Sequence, residues 1–171
     1  MRGIASRLGV SATALYQHFD SKAEILSEVR VHGIKILHGE LASSLHLTDP
    51  ADRIIALCKG YIIFARTNPW LYKLIAEQEA DWDNMNDEQR EQTVAPLLLV
   101  KRCLAAGKEK GLWHDGFDVE MDSLQMWVAV HGICSLLIAG RLSEKHPYMP
   151  VGDQGAFISN FVNHLIDSFR A

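Results

Sequence analysis

Cysteine is scarce. Only Cys58, Cys103 and Cys134 occur in 171 residues, and none forms a Cys-x-x-Cys pair. That spacing excludes a disulfide framework or a zinc site and suits a reducing cytoplasm. Buried apolar thiols are the expectation. Long hydrophobic runs are missing too. No stretch reaches the ~20 apolar residues of a membrane span, and the N-terminus lacks an apolar signal segment. No membrane partner is therefore expected. There is no His-Glu-x-x-His, no Gly-x-Ser-x-Gly and no Gly-rich phosphate loop, so catalysis is not expected. His32, His38 and His46 are six and eight residues apart, a spacing that does not gather them on one helix face as ligands. No metal or cofactor is expected. Nothing reads as a strand, and repeats and low-complexity tracts are absent.

What is present reads as helix. Hydrophobic residues make up 48% of the chain, enough for one core or a small head and a larger body. Ile4, Ala5 and Leu8 form one apolar stripe, and Gly9 follows as a left-handed cap. Val10 is expected to anchor the turn inward. Ser11 is a good N-cap for a helix over Ala12–His18. In it, Leu15 and Phe19 face inward, while Thr13, Ala14 and Gln17 form a polar outer face. Two helices on a tight glycine turn make an arrangement that enters a major groove. Ser21 to Glu24 is a capping box opening a third helix to about Leu45. The net charge of −4 opposes DNA binding, but its distribution does not: residues 1–46 carry five Lys/Arg against four Asp/Glu, the remainder twelve against seventeen.

The run Ile4-Ala5-(x3)-Gly9-Val10-Ser11-(x3)-Leu15-Tyr16-(x)-His18-Phe19-(x2)-Lys22 resembles the signature of the TetR family of bacterial transcriptional regulators. The resemblance implies an all-α, TetR-like fold: a helix-turn-helix head with its linker helix over residues 1–46, and a ligand-binding and dimerising body over residues 47–171. It implies that Tyr16, His18 and Lys22 contact phosphate. It also implies that Thr13, Ala14 and Gln17 reach base edges, on a helix capped by Ser11. Gln17 suits adenine and Thr13 a thymine methyl. On this alignment the chain begins inside the family's second helix, and the first is expected to be absent. Ile4, Leu8, Leu15 and Phe19 would then be partly exposed.

Beyond the head, Thr48-Asp49-Pro50 and Asn68-Pro69 stop and restart helices over Ile54–Ala65 and Trp70–Ala76. Helices over Asp87–Lys110, with a possible bend at Pro96, and over Val119–Leu142 and Gln154–Arg170 follow. The Val119–Leu142 helix is apolar on two faces, Leu124, Trp127, Val128, His131 and Ile138 on one, Met126, Val130, Ile133 and Leu137 on the other. With Phe157, Phe161 and Leu165 of the last helix, the second set is expected to form a homodimer interface, the four-helix bundle that the resemblance implies. Trp127-(x3)-His131-Gly132 also resembles an element of one TetR subgroup.

A small-molecule effector is expected in the body. Phe64, Trp70, Tyr72, Trp82, Met85, Leu99, Cys103, Trp127 and His131 are candidate lining residues, though the same composition suits plain core. Glu77, Glu79, Asp81 and Asp83 suit either a cation or a solvated loop. The expected function is repression at double-stranded operator DNA, released by the effector. The alternative is a dimeric ligand-binding body whose truncated head does not bind DNA.

Overall fold

A computed structural model describes residues 1–77 and 82–170. Among these, eight α-helices and two short 3-10 turns form, and no strand. The helices are α1 Arg2–Leu8, α2 Ala12–Tyr16, α3 Lys22–Ala42, α4 Pro50–Thr67, α5 Pro69–Ala76, α6 Asp87–Glu109, α7 Val119–Ile138 and α8 Gln154–Asp167. Only an isolated bridge pairs Trp113 with Arg170.

Short polar side chains start most helices by accepting an orphan backbone N–H. Ser11 accepts from Ala14 at 3.0 Å, Asp49 from Asp52 at 2.9 Å, Asp118 from Met121 at 2.8 Å and Asp153 from Ala156 at 2.8 Å. Asn86 and Gln89 form a reciprocal capping box. At Ser21 the expected box is altered: Ser21 accepts from Glu24, but the Glu24 carboxylate takes the N–H of Asp20 at 2.6 Å. Pro50 and Pro69 sit in the first turns of their helices, where the missing N–H costs nothing.

Helix ends differ from the sequence expectation by a few residues. The helix α2 ends at Tyr16, before His18, although turn hydrogen bonds continue to Phe19. Ser43–His46 tightens into a 3-10 turn, which ends α3 at Ala42 rather than Leu45. Gly140 adopts φ +69°, so α7 ends at Ile138 instead of reaching Leu142. The last expected turn of α8 unwinds after Asp167, leaving Phe169 to fold back into the core.

At the centre lies α4. It packs against α3, α5, α6, α7 and α8, and Ile54, Leu57, Ile62 and Phe64 are fully enclosed. Each such burial is worth about 1.5–3 kcal/mol. The C-terminal half of α3 joins this core through Leu37 and Leu41, so the helix that leaves the head ends inside the body. A side chain at Gly33 would meet Leu71 at 2.5 Å, which lets α3 lie close against α5. At the far end, Trp113 lies flat on Gly107 and donates from its indole N–H to the Leu104 carbonyl at 2.8 Å. Phe117 and Phe169 close that corner.

By length and hydropathy, α7 is one described helix that would suit a membrane span. Its apolarity has a nearer cause. Met126, Val130, Ile133 and Cys134 pack inward against the core, while Met121, Leu124, Val128 and Leu136 remain outside.

Candidate functional site

Two regions hold the residues of interest. In the head, Gly9 turns the chain at φ 69°, and Ala5 and Leu15 are the buried contacts between α1 and α2. Thr13, Tyr16 and Gln17 lie at i, i+3 and i+4 and are exposed on one side of α2. His18 and Lys22 are exposed beyond it, and Ala14 is half-buried. Ser11 is engaged as the cap of α2. Val10 is 45% exposed and does not anchor the turn inward, and Leu8 is 64% exposed.

In the body, α3, α4, α5, α6 and α7 enclose a cavity of about 300 Å³. Ile34, Leu37 and Leu41 come from α3, and Leu57, Cys58 and Tyr61 from α4. Ile75 and Ala76 close one side, and Thr93, Val94, Pro96, Leu97 and Val100 of α6 another. From α7 come Ser123, Met126, Trp127 and Val130. Trp82, Leu97 and Trp127 line the cavity yet remain exposed, so the opening lies beside them. None of the described lining residues carries a charge.

Of the expected lining residues, only Trp82 and Trp127 are in the wall. Phe64 lies one turn beyond Tyr61 and is enclosed on all sides. Leu99 and Cys103 point from α6 into the core, away from its Val94–Leu97 face. Met85, which has no packing duty legible in the sequence, is buried, and its sulfur accepts from the Thr93 hydroxyl at 3.8 Å. Trp70 is 61% exposed at the start of α5. Tyr72 and His131 are bonded to each other, hydroxyl to Nδ1 at 2.6 Å. The His131 ring stacks on Trp127 and on Tyr72, so the Trp-(x3)-His spacing builds an aromatic stack one helical turn long. Gly132 has open space beside it and does not serve close packing within the chain.

Three residues of the expected interface set turn inward. Met126 and Val130 face the cavity, and Ile133 faces the core. Leu137, Phe161 and Leu165 are half-buried against that core, and Phe157 is exposed. The outward apolar residues of α7 are Met121, Leu124, Val128 and Leu136, with Trp127 at the cavity's edge. Of the acidic group, Glu77 receives the Ser135 hydroxyl and Asp83 is exposed, while Glu79 and Asp81 fall outside the described residues.

Burial governs the titratable groups near the cavity. It pushes the Cys58 and Cys134 thiols up to about 12, with Cys134 adding to the effect at Cys58. The Tyr61 hydroxyl is likewise pushed up to about 12 by burial and by Cys134, against hydrogen bonding with Tyr72 and Trp127. Burial also raises Tyr72 and Cys103. These thiols are neutral and poor nucleophiles.

Sequence patterns did hold a signal for the wall that the candidate residues missed. Thr93, Val94, Leu97 and Val100 repeat at i, i+1, i+4 and i+7 beside a proline that breaks the α6 ladder. One further link joins the two regions: Gln89, at the start of α6, donates to the Glu28 carboxylate of α3 at 2.7 Å.

The sequence matches two family models. Residues 1–29 match the N-terminal domain of bacterial regulatory proteins of the tetR family, and residues 54–153 match the tetracyclin repressor-like C-terminal domain. The chain belongs to the TetR family. It is a helix-turn-helix, DNA-binding transcriptional regulator by that membership. Solved structures share the fold. A Rhodococcus protein of unknown function is 23% identical over 98% of this chain and 81% of that one, with a TM-score of 0.76. The TetR family regulator PfmR from Thermus thermophilus is 18% identical over 99% and 88%, with a TM-score of 0.70. The fatty acid degradation regulator FadR from Bacillus halodurans is 16% identical over 99% and 88%, with a TM-score of 0.73. No curated protein matches the sequence significantly.

Proposed function

We propose that this TetR-family chain is a homodimeric repressor that leaves its operator when a small molecule occupies the body cavity. Residues 1–46 would serve as DNA-binding head and linker, and residues 47–171 as effector-binding and dimerising body. One observation carries the reading: α3 begins at Lys22, beside the exposed α2 residues, and its other end lines the cavity through Ile34, Leu37 and Leu41. A molecule in that cavity touches the helix that carries the head. Linkage then makes DNA and effector weaken each other equally. A two-fold dimer would present two α2 helices to half-sites about 34–36 Å apart, or multiples of it. The outward set Met121, Leu124 and Val128 supplies an apolar face for the second subunit.

Electrophoretic shift with the gene's own upstream DNA tests this at low salt. The chain is compared with one extended by in-frame upstream codons. Absence of a shift from both would sink the proposal. Exposed Leu8 and Val10 favour one second reading, a dimeric ligand-binding body without DNA affinity. Ligand binding by a chain that shifts no DNA in either form would select it.

A further inference from the structure

We infer that the cavity selects an uncharged, largely apolar molecule of about ten heavy atoms, with one hydrogen-bonding function directed at Tyr61. The inference rests on the effector reading above and goes beyond it in naming the chemistry. Size comes first. A water molecule's share of liquid volume is about 30 Å³, so a cavity of about 300 Å³ has room for about ten such groups. Charge comes second. No described lining residue is ionisable near neutral pH, because the only titratable ones are Cys58 and Tyr61, both pushed up to about 12. A buried carboxylate or ammonium would find no counter-ion among the described lining residues and would lose its hydration without compensation there.

The opening offers an anion no better reception. Among the described residues on either side of Trp82 in sequence, Glu77, Asp83, Asp87 and Glu88 are acidic, and Lys73 and Arg90 are the nearest cations. Arg90 already donates to the Trp82 carbonyl at 3.1 Å and pairs with Asp87. Lys101 pairs with Glu120. Polar function comes third. The Thr93 and Ser123 hydroxyls donate to the carbonyls of Gln89 and Glu120 at 2.7 and 2.9 Å. Tyr61 is the remaining hydroxyl in the wall, and it meets the Tyr72 and Trp127 side chains rather than a backbone carbonyl. Its neighbours Tyr72 and Trp127 are themselves tied into the stack on His131. A ligand oxygen at that end meets a fixed hydroxyl, while the rest of the molecule meets aliphatic side chains.

Three probes with one chain length separate the possibilities: 1-nonanol, nonanoate and nonylammonium, titrated calorimetrically into the full chain at pH 7. Nonanol should bind, and each ion should bind at least about tenfold more weakly. Equal or tighter binding of either ion overturns the inference, as does failure of all three. Two variants locate the site. Ala76→Leu fills part of the cavity and should weaken nonanol about tenfold; unchanged affinity would move the site elsewhere. Tyr61→Phe should weaken nonanol by about three- to tenfold yet leave 1-nonene unaltered; equal loss for both removes the polar contact. Each variant is checked for native circular dichroism first. The operator shift is run in parallel. Absent probe binding with an intact shift overturns the ligand chemistry alone, and absent shift with intact nonanol binding overturns the regulatory reading alone.

Discussion

Gly107→Ala should destabilise the protein, although intrinsic helix preference says the opposite. Gly107 lies inside α6, where alanine is favoured over glycine by about 1 kcal/mol. A Cβ there would stand 2.4 Å from three atoms of the Trp113 indole, far inside contact distance. The ring has little room to withdraw. It is buried, its N–H is held by the Leu104 carbonyl at 2.8 Å, and Phe117 lies 5.5 Å away, centre to centre. Overpacking of this kind costs about 1–3 kcal/mol, and loss of the indole hydrogen bond about 1 more. Subtracting the helix gain leaves a net loss of about 2 kcal/mol. For a chain of this size that lowers Tm by about 4–8 °C. Thermal melts followed by circular dichroism measure it, with Gly39→Ala as the control. Gly39 lies in α3 with open space beside it, so alanine should raise Tm by about 2–4 °C. If Gly107→Ala melts at or above the parent temperature, the stacking of Trp113 on that glycine is not what shapes the corner.

The remaining expectations concern charge, interface and DNA. Stability should fall as pH rises from 9 towards 12. The unfolded thiols ionise from about 9, whereas the folded Cys58 and Cys134 hold their protons to about 12. The slope is at most about 1.4 kcal/mol per pH unit for each group, so urea midpoints should drop between pH 8 and 10, and less so in Cys58→Ala. Leu124→Glu should shift the light-scattering mass towards monomer with helicity intact, while Met126→Glu should lose helicity, because only the second buries its charge. A retained dimer in Leu124→Glu would place the interface off this face. Lys22→Ala should weaken operator binding for every sequence and reduce the salt slope by about 1, whereas Gln17→Ala should change base preference. Unchanged preference would remove Gln17 from base readout. Glu28→Ala cuts the link from α6 to α3 and should raise the effector concentration needed for release while leaving effector affinity unchanged. Equal shifts in both would show no coupling role.

Much of the fold is legible one helix at a time. Gly9, Ser11, Asp49-Pro50 and Asn86 act through bonds and torsions within a few residues, so sequence order alone determines where helices begin and turn. The TetR signature is local for the same reason: α2 needs its polar face and its cap on one short stretch. Helix ends were less legible, because fraying at Ala42 or Ile138 depends on a small balance of 3-10 and left-handed geometry.

The cavity and the free face of α7 belong to the tertiary structure. Periodicity gives the angle of a side chain around its own helix. It does not say what stands opposite. With apolar residues all around α7, Met126 and Leu124 are equivalent in sequence, and only the position of α4 and α6 puts the first inside and the second outside. Likewise Met85 is buried although its neighbours are acidic, because Thr93 of α6 comes to meet it. Sequence determined that this chain makes a helix-turn-helix and a helical body. Packing of five helices decided which of its many apolar residues line the cavity.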